Sequence, residues 1–85
     1  MDLTHEAIRR LIQDEVGRIL AALVAALRDF ELAEDVLQDA LVSALERWPR
    51  EGLPRNPAAW ITTTARNRAI DRLRRAQNFE RKQAT

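Results

Sequence analysis

The chain has no cysteine, one histidine, one serine and two glycines, and each scarcity removes a class of function. Without cysteine there is neither a disulfide frame nor a thiolate metal site. With His5 as the sole imidazole, a zinc site lacks good ligands. Ser43 falls mid-helix beside no histidine, so no nucleophile–base pair is legible. Gly17 and Gly52 lie far apart, which excludes a glycine-rich phosphate loop. Enzymatic chemistry is not expected, and neither is a cofactor. The opening MDLTHEAIRR lacks a basic segment followed by an apolar run, so it does not read as a signal peptide. The longest nearly uncharged stretch, 19–27, has nine residues, against the ~20 that a membrane span needs. The expectation is a soluble, cytoplasmic protein with no membrane insertion.

What is present is charge, unevenly placed. Residues 1–47 hold five arginines against ten acids, and residues 48–85 hold eight arginines and Lys82 against Glu51, Asp71 and Glu80. A net charge of +1 thus hides an acidic front and a basic back. Such asymmetry suggests two surfaces with different partners, or two halves that attract each other across the fold. The length of 85 residues fits one domain, which buries only about 60–65% of its unfolded surface.

Three helices are legible, which predicts an all-α, compact three-helix bundle. Ile8, Leu11, Ile12, Val16, Ile19, Leu20, Leu23, Val24 and Leu27 recur at helical steps, which predicts a first helix over 5–28. Thr4 is its N-cap, and Gly17 marks a kink or a close contact. A second helix over 32–48 buries Val36, Leu37, Ala40, Leu41, Ala44, Leu45 and Trp48, and Pro49 ends it. The segment 49–56, with two prolines and Gly52, is a loop. Asn56 caps a third helix that starts at Pro57 and runs to about 76. Its inner side is Ala58, Thr62, Ala65, Ala69, Ile70, Leu73 and Ala76, and its tail frays. A short extra helical turn has room in the loop or the tail.

The third helix carries Trp60, Thr63, Thr64, Asn67, Asp71 and Arg74 on one flank, with Arg66 at its border. Guanidinium groups neutralise phosphates, Thr and Asn reach base edges, and Trp offers a stacking platform. The same residues also fit a solvated helix with a core tryptophan. Asp71 reads best as an ion-pair partner for Arg68, Arg74 or Arg75.

Two runs carry a resemblance. Residues 33–40, AEDVLQDA, followed by ALERW at 44–48, resemble the second-region helix of bacterial RNA polymerase sigma factors of the sigma-70 family. PAAWI at 57–61, ARN at 65–67 and IDRLRR at 70–75 resemble the promoter-reading helix of the same region 2 domain, best in the extracytoplasmic-function (ECF) group. The resemblance implies that an acidic-polar face of the second helix docks on the clamp helices of the polymerase largest subunit. By position that face is Asp35, Gln38, Asp39, Val42 and Glu46, bordered by Leu41 and Leu45. It also implies that the loop and third helix hold the minus-ten element as a non-template single strand. The corresponding residues are Arg50, Arg55, Asn56, Trp60, Thr63, Thr64, Arg66, Asn67 and Arg74, with Trp48 and Leu53 as hydrophobic anchors of the loop.

Primary sigma factors place two adjacent tryptophans at the melting site. Here Ala59 precedes Trp60, which fits the ECF group. The family's second domain, region 4, is absent before Thr85, so the expectation is a domain cut from a longer protein. An anti-sigma factor is a further implied partner. The alternatives are a helical protein-interaction module without DNA binding and a helix-turn-helix reader of duplex DNA.

Overall fold

The computed structural model describes residues 4–84, with side chains through Lys82. Among them are four helices and no strand: α1 (His5–Gln13), α2 (Val16–Leu27), α3 (Phe30–Glu51) and α4 (Pro57–Ala84). The fold class is all-α as expected, but the helix boundaries differ from the predicted ones at four places.

The predicted first helix is two. Thr4 caps α1 as expected, its Oγ1 accepting from the Ala7 N–H at 3.1 Å. The chain then turns at Asp14–Glu15, where the Glu15 N–H bonds the Ile12 carbonyl at 2.9 Å, three residues back. That tighter bond closes α1, and both acids then precede the N-terminus of α2, where the helix dipole favours negative charge. The apolar period runs through the turn unbroken: Ile8, Ile12, Ile19 and Leu23 are all buried. Periodicity therefore reports the shared face and not the break. At the end of α2, Arg28 takes the left-handed conformation, φ 55° and ψ 34°.

Pro49 does not end the second helix, because α3 runs on to Glu51 with the proline inside it. A proline deprives the carbonyl four residues earlier, that of Leu45, of its usual donor. The last turn is secured otherwise. Gly52 N–H bonds the Trp48 carbonyl at 2.8 Å, Arg50 Nε donates to the Glu46 carbonyl at 3.3 Å, and Arg47 pairs with Glu51 at 3.1 Å. The N-terminus of α3 also starts earlier than predicted, because Asp29 caps it by accepting from the Leu32 N–H at 3.0 Å.

The predicted fraying tail is instead helical to Ala84. At ~1.5 Å per residue α4 is about 42 Å long, in a molecule whose extents are 55 × 26 × 18 Å. Its inner side is corrected as well. Ile61, Ala65 and Ala69 are buried, whereas Ile70 and Leu73 are exposed, as is Ala76. Every residue from Ile70 to Lys82 is exposed, so the second half of α4 adds nothing to the buried core.

The core is apolar throughout, with no buried polar or charged residue among the described ones. From α3 it takes Ala33, Val36, Leu37, Ala40, Ala44 and Trp48. Small side chains on both α3 and α4 let these helices approach closely. They run antiparallel: Ser43 meets Arg68, and Asp39, one turn earlier, meets Arg72, one turn later. Trp48, 1% exposed, sits edge-on to Trp60 with ring centroids 5.3 Å apart. It is thus the anchor that was expected beneath the loop, whereas Leu53, the other expected anchor, is exposed.

Candidate docking face and nucleic-acid interface

The α3 stripe opposite its buried side is where the sequence places the polymerase-docking residues. Asp35, Gln38, Val42 and Glu46 are exposed there, and Leu41 and Leu45 are half-buried along one border. Val42 is 52% exposed amid these polar groups. An apolar contact ringed by carboxylates and an amide suits a basic, partly apolar partner helix.

Asp39 lies on the other border, half-buried against α4. Its Oδ2 accepts from Arg72 Nη2 at 2.7 Å, while Arg72 Nη1 lies 3.5 Å from Asp35 Oδ2. Arg68 Nη2 donates to Ser43 Oγ at 3.4 Å on the same seam. The attraction between acidic front and basic back is therefore real at this seam. Such exposed pairs contribute roughly 0–1 kcal/mol each, too little to hold the fold.

An open groove of ≈ 840 Å³ follows the α3–α4 seam. From α4 it is lined by Thr64, Asn67, Arg68, Ile70, Asp71 and Arg74, and from α3 by Ser43, Glu46, Arg47 and Arg50. Four of the predicted nucleic-acid residues, Arg50, Thr64, Asn67 and Arg74, thus share one concavity. Asp71 pairs with Arg75 at 2.9 Å, one of the three partners expected for it.

Arg55, Asn56, Thr63 and Arg66 are exposed and do not line this groove. Asn56 caps α4, its Oδ1 accepting from the Ala59 N–H at 3.1 Å. That bond leaves the Asn56 amide donors free for a ligand. Trp60 is half-buried, with its ring against Trp48 and the Arg47 guanidinium 5.5 Å from its centroid. A base that stacks on Trp60 must share or displace Arg47.

Arg47 and Arg68 also line the groove and are not among the expected nucleic-acid residues. A signal existed, because Ser43, Arg47 and Arg50 fall three or four residues apart on the flank of α3 beside its buried stripe. Such a flank faces the neighbouring helix.

Among the described residues no group of three His, Cys, Asp or Glu is placed to hold a metal ion. No described helix is long and apolar enough to cross a membrane.

The comparisons with known proteins agree with the two motifs. The family profile described as Sigma-70 region 2 matches residues 11–79. A protein of Rhizobium meliloti (strain 1021), named only as uncharacterized, is 46% identical over 56 residues. The matched segment covers 66% of this chain but 13% of that relative, so the chain spans a small part of the relative's length. No solved structure matches the chain. With a profile that covers α2, α3 and most of α4, the chain belongs to the sigma-70 region 2 family.

Proposed function

We propose that this domain is the promoter-recognition and promoter-melting part of an ECF-type sigma factor, acting by binding and not by catalysis. The α3 face of Asp35, Gln38, Val42 and Glu46 docks on the clamp helices of RNA polymerase. The 49–56 segment and the outer flank of α4 hold the minus-ten element as a non-template single strand. Ala59 before Trp60, in place of a second tryptophan, supports the ECF assignment. An anti-sigma factor would compete for the same α3 face.

The observation that carries the reading is the juxtaposition at the α3–α4 seam. A carboxylate and amide face shares Glu46 with a groove lined by Arg47, Arg50, Arg68 and Arg74, in which the other carboxylate, Asp71, is paired with Arg75. A protein partner of basic character and a polyanion can therefore be held at once on adjacent faces. The antiparallel course of α3 and α4 disfavours a helix-turn-helix reader, whose two helices cross at ~90–120°.

The test takes the two faces separately. Gln38→Ala with Val42→Ala should weaken binding to RNA polymerase core enzyme by about 5- to 30-fold, the effect of ~1–2 kcal/mol, at unchanged helicity. Arg50→Ala with Arg74→Ala should spare that binding. It should reduce the salt dependence of single-strand binding, by about 0.7 in log–log slope per lost phosphate contact. Unchanged polymerase binding in the first variant would refute the docking face. An unchanged slope in the second would refute the groove.

A further inference from the structure

Among the described residues, Arg72 alone of the arginines bridges two carboxylates of another helix. Asp35 and Asp39 stand one turn apart on α3 and converge on its single guanidinium. The same two acids form the edge of the proposed docking face, so this inference rests on that reading. We propose that Arg72 is a DNA-phosphate contact held in reserve. In the free domain Asp35 and Asp39 tie it down, and a basic partner side chain that takes those carboxylates hands it to the nucleic acid lying along α4.

Three features of the seam support the exchange. The groups are accessible, the Arg72 and Asp39 side chains being 42% and 39% exposed. Neither has to leave a core for the pair to open, and exposed pairs of this kind are weak enough to trade partners. The exchange also conserves charge pairing: the partner's cation replaces Arg72 on the carboxylates, and a phosphate replaces the carboxylates on Arg72. Finally, Arg72 adjoins Asp71, which lines the groove, and stands one turn beyond Arg68, which also lines it. A released guanidinium is next to the path proposed for the strand.

A mere brace between α3 and α4 predicts something different, and ionic strength separates the two. The intact chain is titrated with a fluorescent single-stranded oligodeoxynucleotide between about 50 and 200 mM salt, without polymerase. Asp35→Asn with Asp39→Asn should steepen the log–log salt slope by about 0.7, one added phosphate contact. In an Arg72→Gln background the same two substitutions should leave the slope unchanged. Asp39→Asn alone, which removes the shorter contact, should act in the same direction and serves if the double variant loses helicity.

In a second arm Arg72→Gln should bind RNA polymerase core enzyme tighter than the parent, because no guanidinium competes for the acids. Both arms are required. No steepening, equal steepening in both backgrounds, or unchanged or weaker core binding overturns the reserve role while the proposed function stands. If the parent and all variants bind neither core enzyme nor the oligonucleotide, both readings fall.

Discussion

Replacing Trp48 separates two opposing contributions at the point where the core meets the proposed DNA interface. The indole is 1% exposed and packs edge-on against Trp60, 5.3 Å between centroids at 69°. Its Nε1–H is buried without a hydrogen-bond partner. Trp48→Ala removes the whole ring from a closed core, at a cost of about 3–5 kcal/mol. A domain of 85 residues has a total stability of roughly 4–13 kcal/mol, so this variant stands near unfolding.

Trp48→Phe is the informative substitution. It leaves a void of about 40 Å³, worth about 1 kcal/mol at ~24 cal/mol per Å³. Some apolar area is lost as well. It also removes the unpaired donor, whose burial costs about 1–3 kcal/mol. The two nearly cancel, so Trp48→Phe should lie within ~1 kcal/mol of the parent. Urea unfolding followed by far-ultraviolet circular dichroism measures both variants, and the fluorescence of Trp60 reports whether its ring still meets an aromatic edge. If Trp48→Phe costs as much as Trp48→Ala, the indole N–H is partnered and the reasoning fails.

The backbone at two helix ends gives signed predictions. Arg28, at φ 55°, should gain about 0.5–1 kcal/mol of stability on Arg28→Gly. Gly52→Ala should lose about 1–3 kcal/mol, by strain alone, since its φ is 93° and no atom lies within 4 Å of an added Cβ. Asn56→Ser keeps a capping oxygen, so stability in urea should change by less than ~0.5 kcal/mol. The free amide donors are lost, and single-strand affinity should fall about fivefold, as for one neutral hydrogen bond of ~1 kcal/mol. Ala65→Leu should overpack the α3–α4 contact at about 1–3 kcal/mol. Ile70→Ala, on the exposed part of α4, should stay within ~0.5 kcal/mol.

The buried faces were legible because they depend on spacing, and spacing is written in the sequence. Val36, Leu37, Ala40, Ala44 and Trp48 were read as buried and are. The caps at Thr4 and Asn56 were legible because a side-chain oxygen in that place has one evident task. Boundaries were harder, because they balance small local terms against tertiary ones. The turn at Asp14–Glu15 leaves the apolar period intact, so the period cannot reveal it. Pro49 favours termination locally, but the buried ring of Trp48 and the contacts of Arg47, Arg50 and Gly52 hold one more turn. Ile70 and Leu73 continue the expected stripe, yet both are exposed, Ile70 on the open groove beside α3 and not beneath it. Their exposure depends on how α3 and α4 sit together, which the period of one helix does not encode. Thr64, Asn67 and Arg74 fall on one flank by spacing, and they line the groove together. The Asp35–Arg72–Asp39 bridge was not legible, because it depends on the register between two helices that no single-helix pattern encodes.

That register bears on how the domain can work. The charge split contributes little to stability, since the ion pairs are exposed and the core is apolar throughout. Folding would tolerate a neutral surface, which leaves the acidic and basic halves available for the two proposed partners. They are nevertheless not separate. α3 and α4 share a side-chain seam, and each buries alanines, Ala40 and Ala44 on α3 and Ala65 and Ala69 on α4. A close contact of small side chains transmits displacement, because interiors at crystal-like density have little slack. A partner seated on the outer face of α3 therefore acts on the same two-helix unit that presents the groove. Its most direct route is the Asp35–Arg72–Asp39 bridge, where one face's anions are the other face's counter-ions.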